Sequence, residues 1–171
     1  FKIERIGAGR AWLPKLVSEM RVRRLGFESD HVTVDIYSDL GRAIQEAEGT
    51  QGFELISTKG VVEKLRIFKD ADELGLLAKA VEIADQAFEQ VAPNVEPGVT
   101  EREVAWELEK AMRERGAEAS AFDIIVGTGV NGALPHHRAD ETMIGRNEAV
   151  VIDMGARYEG YCSDLTRTII V

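Results

Sequence analysis

The spacing of hydrophobic residues changes along the chain and predicts two regions of different construction. The first runs to about residue 66 and mixes short helical and alternating patterns. Its predicted elements are a helix over 12–24 stopped by Gly26, a strand over 31–36, a helix over 39–47, a strand over 53–56 and a connection over 60–66. These elements are few for an independent core, so we expect residues 1–66 to be part of a small α/β domain that begins upstream.

Two long amphipathic helices open the second region. Asp70 and Glu73 have the spacing of a helix N-cap and its acidic partner, and Thr100 and Glu103 repeat it. The second helix stops at Gly116. The apolar stripe predicted to face the core is Leu74, Leu77, Val81, Ala84, Phe88 and Val91 in the first helix. In the second helix it is Val104, Leu108 and Met112.

Strand patterns follow the two helices. They cover 122–126, 148–154 and 161–171, with a glycine-rich connection over 127–132. This order predicts an α+β domain over residues 67–171, in which two helices cover one face of an antiparallel sheet.

Composition and charge restrict the classes of partner. The 171 residues include 44% hydrophobic and 30% charged residues, as in an ordinary globular protein, and the net charge is −9. This charge argues against nucleic acid or an anionic membrane as a partner. No apolar run is long enough for a membrane span, and the N-terminus lacks a secretory pattern. Cys162 is the only cysteine, which excludes an internal disulfide, so we expect a cytoplasmic protein.

The candidate chemistry lies on the hairpin formed by the last two strands. If its turn is centred between Tyr158 and Glu159, Asp153 and Asp164 are directly opposite each other, with Cβ atoms roughly 4.5 to 5.5 Å apart. A slip of one residue in the turn would place them on opposite faces. The other face, which is expected to pack against the core, includes Val150, Ile152, Met154, Leu165, Ile169 and Val171.

Two neighbouring carboxylates repel each other and need a cation between them. Oxygen ligands suit hard divalent metal ions, and a pair of such ions can share bridging carboxylates. A shared proton or a neighbouring arginine is the alternative explanation. Asp153 and Asp164 are therefore candidate metal ligands.

Three segments, in this order and spacing, resemble the metallopeptidase family M24 of Xaa-Pro aminopeptidases and prolidases. They are Ala133-Leu134-Pro135-His136, the run from Val151 to Gly155, and the run from Gly160 to Thr168. The helices from residue 70 also resemble this family. Residues 24–28 and 65–69 resemble the end of its creatinase-like N-terminal domain.

The resemblance implies a fold and a site. The fold would be the first half of a pita-bread (creatinase/aminopeptidase) catalytic domain over 67–171, after the C-terminal part of a creatinase-like domain over 1–66. The family's site holds two metal ions, usually Mn²⁺ or Co²⁺, bound by two Asp, one His and two Glu. The two Asp match Asp153 and Asp164, and His136 matches a catalytic histidine that contacts the substrate near the scissile bond. The other ligands lie on later strands in the family, so we expect residues 1–171 to be an inactive portion that holds metal weakly or not at all.

The implied function is metal-dependent hydrolysis of the peptide bond preceding proline, with a water molecule activated by both ions. The implied partners are proline-containing peptides, and we expect a homodimer. The motifs do not separate an aminopeptidase from a dipeptidase. The alternative is a non-catalytic pita-bread module that binds a protein partner, as in a histone-chaperone subunit. Such a module has lost its metal ligands, whereas Asp153 and Asp164 are both present here.

Overall fold

The computed structural model describes residues 12–46 and 52–171 and divides the chain into two compact units between Phe68 and Lys69. The elements described in the first unit are α1 (Trp12–Met20), β1 (Arg24–Glu28), α2 (Val34–Gln45), β2 (Glu54–Thr58) and α3 (Val61–Ile67). Strands β1 and β2 pair in parallel. Among the described residues of this unit, the buried hydrophobic ones are Leu13, Val17 and Ile44.

The structure corrects several boundaries predicted for this unit. The strand over 31–36 is wrong, because the hydroxyl of Thr33 accepts a hydrogen bond from the Ile36 amide and caps α2 instead. The second helix therefore starts at Val34 and not at residue 39, and its predicted end at Ala47 lies outside the described residues. The run of β-branched residues 32–34 resembles a strand, but it coincides with a helix start.

Three further boundaries were tested. The first helix ends at Met20, where Arg21 adopts a positive φ of 53°, and residues up to Arg24 are not helical. The segment 60–66, predicted as a connection, is mostly helix α3. The strand predicted over 53–56 is confirmed as β2.

The second unit has two long helices followed by short strands. They are α4 (Ala71–Val91), α5 (Glu101–Glu114), β3 (Ala119–Ser120), β4 (Ile125–Thr128), β5 (Ala149–Met154), β6 (Ala156–Tyr158), β7 (Tyr161–Cys162) and β8 (Leu165–Ile170). Short 3-10 helices cover Ala92–Asn94 and Gly129–Ala133. The strands form two antiparallel sheets in the orders β3-β6-β7 and β4-β5-β8. This architecture confirms the predicted α+β fold class.

Both predicted helix starts are confirmed. Asp70 and Thr100 each accept a hydrogen bond from the backbone of the glutamate three residues on, Glu73 and Glu103, whose carboxylates accept from the cap's backbone N–H. The apolar residues of α4, α5 and the strands form one continuous core. Its members include Ile83, Ala87, Val104, Leu108, Met112, Val126, Val150, Ile152 and Met154.

The buried stripe of α4 is rotated from the prediction. Leu74 and Val81 are 56% and 44% exposed, whereas Ala80 and Ala87 are completely buried. On average, successive positions of the predicted stripe are separated by fewer residues than the roughly 3.6 that make one helical turn. The stripe therefore drifts around the helix axis.

The hairpin differs from the prediction in its register. Its turn is at Glu159 and Gly160, which both have positive φ, so Tyr158 pairs with Tyr161. The predicted strand over 161–171 is divided into β7 and β8, and the strand predicted over 122–126 is found at Ile125–Thr128. Across β5 and β8, Asp153 pairs with Thr166, so its predicted position directly opposite Asp164 is wrong.

No helix among residues 12–46 and 52–171 has both the length and the apolar character that a membrane crossing requires.

Candidate active site

Asp153 is held on the open face of the central strand β5. The neighbouring Ile152 and Met154 are buried in the core, whereas Asp153 is half-buried on the other side. The hydroxyl of its cross-strand partner Thr166 donates a hydrogen bond to Asp153 Oδ1 at 2.9 Å. Strand geometry and this bond together fix the position of the carboxylate.

Asp164 lies in the interruption between β7 and β8 and is exposed. The preceding residue, Ser163, is buried; its amide donates to Ala156 O and its Oγ accepts from Ala156 N–H, both at 2.9 Å. A Cβ at Gly155 would lie 2.1 Å from Ser163 O. The close crossing of Gly155 and Ser163 therefore determines the path of the chain into Asp164.

Both acids line one cavity of about 410 Å³. The residues around it are Phe122, Asp123, Ile125, His136, His137, Arg138, Asp153 and Asp164. The shift in register is an even number of residues, which leaves Asp153 and Asp164 on the same side. The structure thus brings together the three site residues predicted from sequence. A larger groove of about 560 Å³ runs along α5 beside Trp106, but it contains neither acid.

Neither acid has a basic partner in the part of the chain that the structure describes. Arg138 lies in the same cavity, but its guanidinium is 3.7 Å from the carboxylate of Asp123. Arg167 makes an ion pair with Asp85 at 3.6 Å. An arginine between Asp153 and Asp164 is thus not observed among the described residues.

His136 is exposed at the rim of this cavity and has a positive φ of 61°. This left-handed conformation is uncommon for a residue other than glycine. The next residue, His137, is turned toward the body of the unit, and 9% of its side chain is exposed. The two adjacent histidines therefore have different environments.

Glu101 is a buried acid that sequence reasoning missed. It is completely buried at the first position of α5. Its Oε1 accepts from Thr128 N–H at 2.8 Å and Asn131 Nδ2 at 3.0 Å, and its Oε2 lies 2.6 Å from His137 Nε2 and 3.4 Å from Asp140 N. A glutamate in a first helical turn is usually a solvated residue that complements the helix dipole, so no local signal predicts its burial.

Glu101, His137 and Asp140 form a group whose ligand atoms all lie within 4.8 Å of one another, which is close enough to hold a metal ion. The group does not include Asp153 or Asp164. Hydrogen bonds already engage both oxygens of Glu101. Hydrogen bonds from the Thr142 hydroxyl and then its amide lower the pKa of Asp140, so its carboxylate stays ionised to lower pH than usual.

Two protein-family models match this chain. A family model described as "Metallopeptidase family M24" matches residues 75–171, and one described as "Creatinase/Prolidase N-terminal domain" matches residues 3–68. The chain belongs to metallopeptidase family M24. The match confirms the resemblance carried by the three motifs.

Curated relatives of this M24 chain include peptidases from bacteria and archaea. It is 41% identical over 155 residues to the uncharacterized peptidase YqhT of Bacillus subtilis, an alignment that covers 91% of this chain and 42% of that protein. It is 46% identical over 111 residues to the Xaa-Pro dipeptidase of Pyrococcus furiosus, covering 65% of this chain and 32% of that protein. The chain thus spans less than half the length of these relatives.

Solved M24 structures share the fold. The Xaa-Pro dipeptidase from Bacillus anthracis has a TM-score of 0.88 and 46% identity, covering 96% of this chain and 45% of that one. The X-Pro aminopeptidase from Thermotoga maritima has a TM-score of 0.86 and 32% identity, covering 100% of this chain and 47% of that one. These likenesses confirm the pita-bread fold with a creatinase-like N-terminal domain.

Proposed function

We propose that the protein is a metal-dependent peptidase that hydrolyses the peptide bond preceding proline. The observation that carries this proposal is one cavity containing Asp153, Asp164 and His136 in a member of family M24. Relatives named Xaa-Pro dipeptidase and X-Pro aminopeptidase support the substrate class. Within this proposal, residues 1–66 belong to the creatinase-like domain and residues 67–171 form the first half of the catalytic domain.

The donor set fits a pair of hard divalent ions, and we propose Mn²⁺ or Co²⁺. Asp153 and Asp164 offer carboxylate oxygens, and no lysine or arginine among residues 12–46 and 52–171 forms an ion pair with them. Their charges need compensation once the cavity is closed to water. When bound, two such ions lower the pKa of a water molecule and polarise the substrate carbonyl.

The chain's own residues have distinct tasks in this proposal. Asp153 is kept in place by β5 and Thr166, so it offers a fixed ligand position. Asp164 directly follows Ser163, whose amide and hydroxyl oxygen both hydrogen-bond the backbone of Ala156. His136 is the proposed catalytic residue: an imidazole whose unperturbed pKa is about 6.5 can give a proton to a substrate in the cavity, or take one from it, near neutral pH.

Location and assembly are also part of the proposal. The thiol of Cys162 is free, which is compatible with the reducing cytoplasm. We predict a homodimer that acts on proline-containing peptides, and light scattering of the purified gene product would measure its mass. A non-catalytic, partner-binding module is less well supported, because both acids remain and share one cavity.

Hydrolysis tests the proposal. We expect the complete gene product, with added Mn²⁺, to cleave an Xaa-Pro dipeptide or a longer X-Pro peptide, and residues 1–171 alone to cleave neither. Asp153→Ala should reduce cleavage to the level without enzyme, since it removes one of the two acids that would hold the ions. Asp72→Ala, a substitution of an exposed acid in the first turn of α4, is the matched control. Normal activity in an Asp153→Ala, Asp164→Ala double variant would remove the metal hypothesis.

A further inference from the structure

We propose that Glu101 is a positioning residue for His136. It acts by anchoring the segment 128–140, which carries that histidine, to the start of α5. The inference rests on the proposed function, and it assigns a task to the most deeply buried acid of the described residues.

Burial makes the hydrogen bonds of Glu101 obligatory. A carboxylate removed from water is strongly destabilising unless its oxygens are paired. All the partners named above, which are Thr128, Asn131, His137 and Asp140, belong to one segment of 13 residues, 128–140. One side chain thus ties the end of β4, the turn after it and the loop beyond His136 to a single point.

The anchoring point is itself fixed. The Glu101 amide donates to Thr142 O at 3.1 Å, and the next amide, of Arg102, donates to Asp140 O at 3.0 Å. The capping box at Thr100 defines where α5 begins. The carboxylate therefore projects from a rigid helix terminus, not from a loop.

His136 needs such an anchor. Its left-handed backbone is strained for a residue with a Cβ, and the conformation persists only if the surroundings impose it. The neighbouring His137 is held by Glu101 at 2.6 Å. Because His137 is fixed on the inner side, His136 is kept at the cavity of Asp153 and Asp164.

A metal ion at Glu101, His137 and Asp140 is the competing interpretation. An ion there would have to displace the 2.6 Å contact between Glu101 Oε2 and His137 Nε2, while Glu101 Oε1 could keep its bonds from Thr128 and Asn131. The 2.6 Å separation of these two atoms is that of a direct hydrogen bond, which leaves no room for an ion between them. The geometry therefore points to a hydrogen-bonding hub.

A double-mutant cycle in the complete gene product tests the role. Glu101→Ala is expected to lower kcat by about 10- to 100-fold, the usual cost of removing a supporting residue, with a smaller change in KM. In a His136→Ala background the same substitution should change kcat by less than about twofold, because its effect passes through His136. If the fold-reductions in kcat caused by Glu101→Ala and His136→Ala multiply in the double variant, the two residues act independently and the proposal is wrong. The control is Glu107→Gln, an exposed residue on the same helix.

Two readouts do not depend on peptidase activity. Glu101→Gln keeps an acceptor for the Thr128 amide but places an amide group where the carboxylate meets His137. The ¹⁵N resonance of His137 Nε2 should therefore change from a protonated to an unprotonated nitrogen. Amide hydrogen exchange over 128–140 should increase in Glu101→Ala while that of α4 stays constant. An unchanged resonance and unchanged exchange would overturn the inference even in an active peptidase.

The same measurements separate the two proposals and the two interpretations of Glu101. If the gene product cleaves no X-Pro peptide, the proposed function fails, and the His137 resonance still tests the anchoring. If Mn²⁺ remains bound to an Asp153→Ala, Asp164→Ala variant and is released by adding Glu101→Ala, the group is a metal site and the anchoring role is wrong.

Discussion

Gly155 and Ser163 show how strongly the site depends on single residues. Ser163 O lies where a side chain at position 155 would begin, so only glycine allows the two segments to cross. Asp164 follows directly after this crossing. A larger residue at 155 would thus displace a proposed ligand without touching it.

Gly155→Ala should destabilise the protein by about 1–3 kcal/mol or more, since the backbone oxygen of Ser163 cannot move aside as a flexible side chain could. Gly75→Ala is a matched control within α4, where a Cβ meets nothing within 4 Å. It should stabilise by about 0.5–1 kcal/mol, because alanine favours the helix. Urea unfolding measures both changes, and equal effects of the two substitutions would contradict this account.

The candidate residues could be predicted, but not all of their geometry. Motif resemblance identified His136, Asp153 and Asp164, and the structure places all three at one cavity. Their register could not be predicted, because Glu159 adopts a positive φ that glutamate rarely accepts and so moves the turn by one residue. The role of Glu101 depends on contacts with a segment distant in sequence, which no local pattern contains.

At the scale of elements, helix starts were more predictable than helix faces. The capping boxes of α4 and α5 are local, and both occur where sequence places them. The buried face of α4 instead depends on which neighbours it meets, so the predicted stripe was rotated. The strand expected over 31–36 failed for a similar reason, since Thr33 competes as a helix cap.

The capping box of α5 predicts a dependence on pH. Hydrogen bonds from the backbone amide and hydroxyl of Thr100 lower the pKa of Glu103 from its ordinary value of 4.5. The ionised form is therefore favoured in the folded state, and its stabilisation is present above pH 4.5 and lost as pH falls through the lowered pKa. Tm of the wild type minus that of Glu103→Gln should be larger at pH 6 than at pH 3.

Thermal unfolding of Glu107→Gln over the same pH range is the control, because this residue lies on α5 outside the capping box. A difference between wild type and Glu103→Gln that is the same at both pH values would show that the ionised capping box is not what stabilises the helix start.

At the scale of the whole molecule, the order of elements was sufficient to predict the fold class. Two helices followed by strands gave an α+β unit, and the structure has two helices packed with antiparallel strands around one core. Family M24 membership extends this to the pita-bread fold. The pairing of strands distant in sequence was harder to predict, because each strand is short and its partner lies elsewhere in the sequence.

Electron paramagnetic resonance of Mn²⁺ bound to the complete gene product tests the central claim most directly. We predict about two Mn²⁺ per chain with the signal of a magnetically coupled pair, since the ions of a dinuclear site lie roughly 3.5–4 Å apart. Asp153→Ala and Asp164→Ala should each abolish the coupled signal, and Asp72→Ala should retain it. A coupled signal that persists when both Asp153 and Asp164 are replaced would contradict the account.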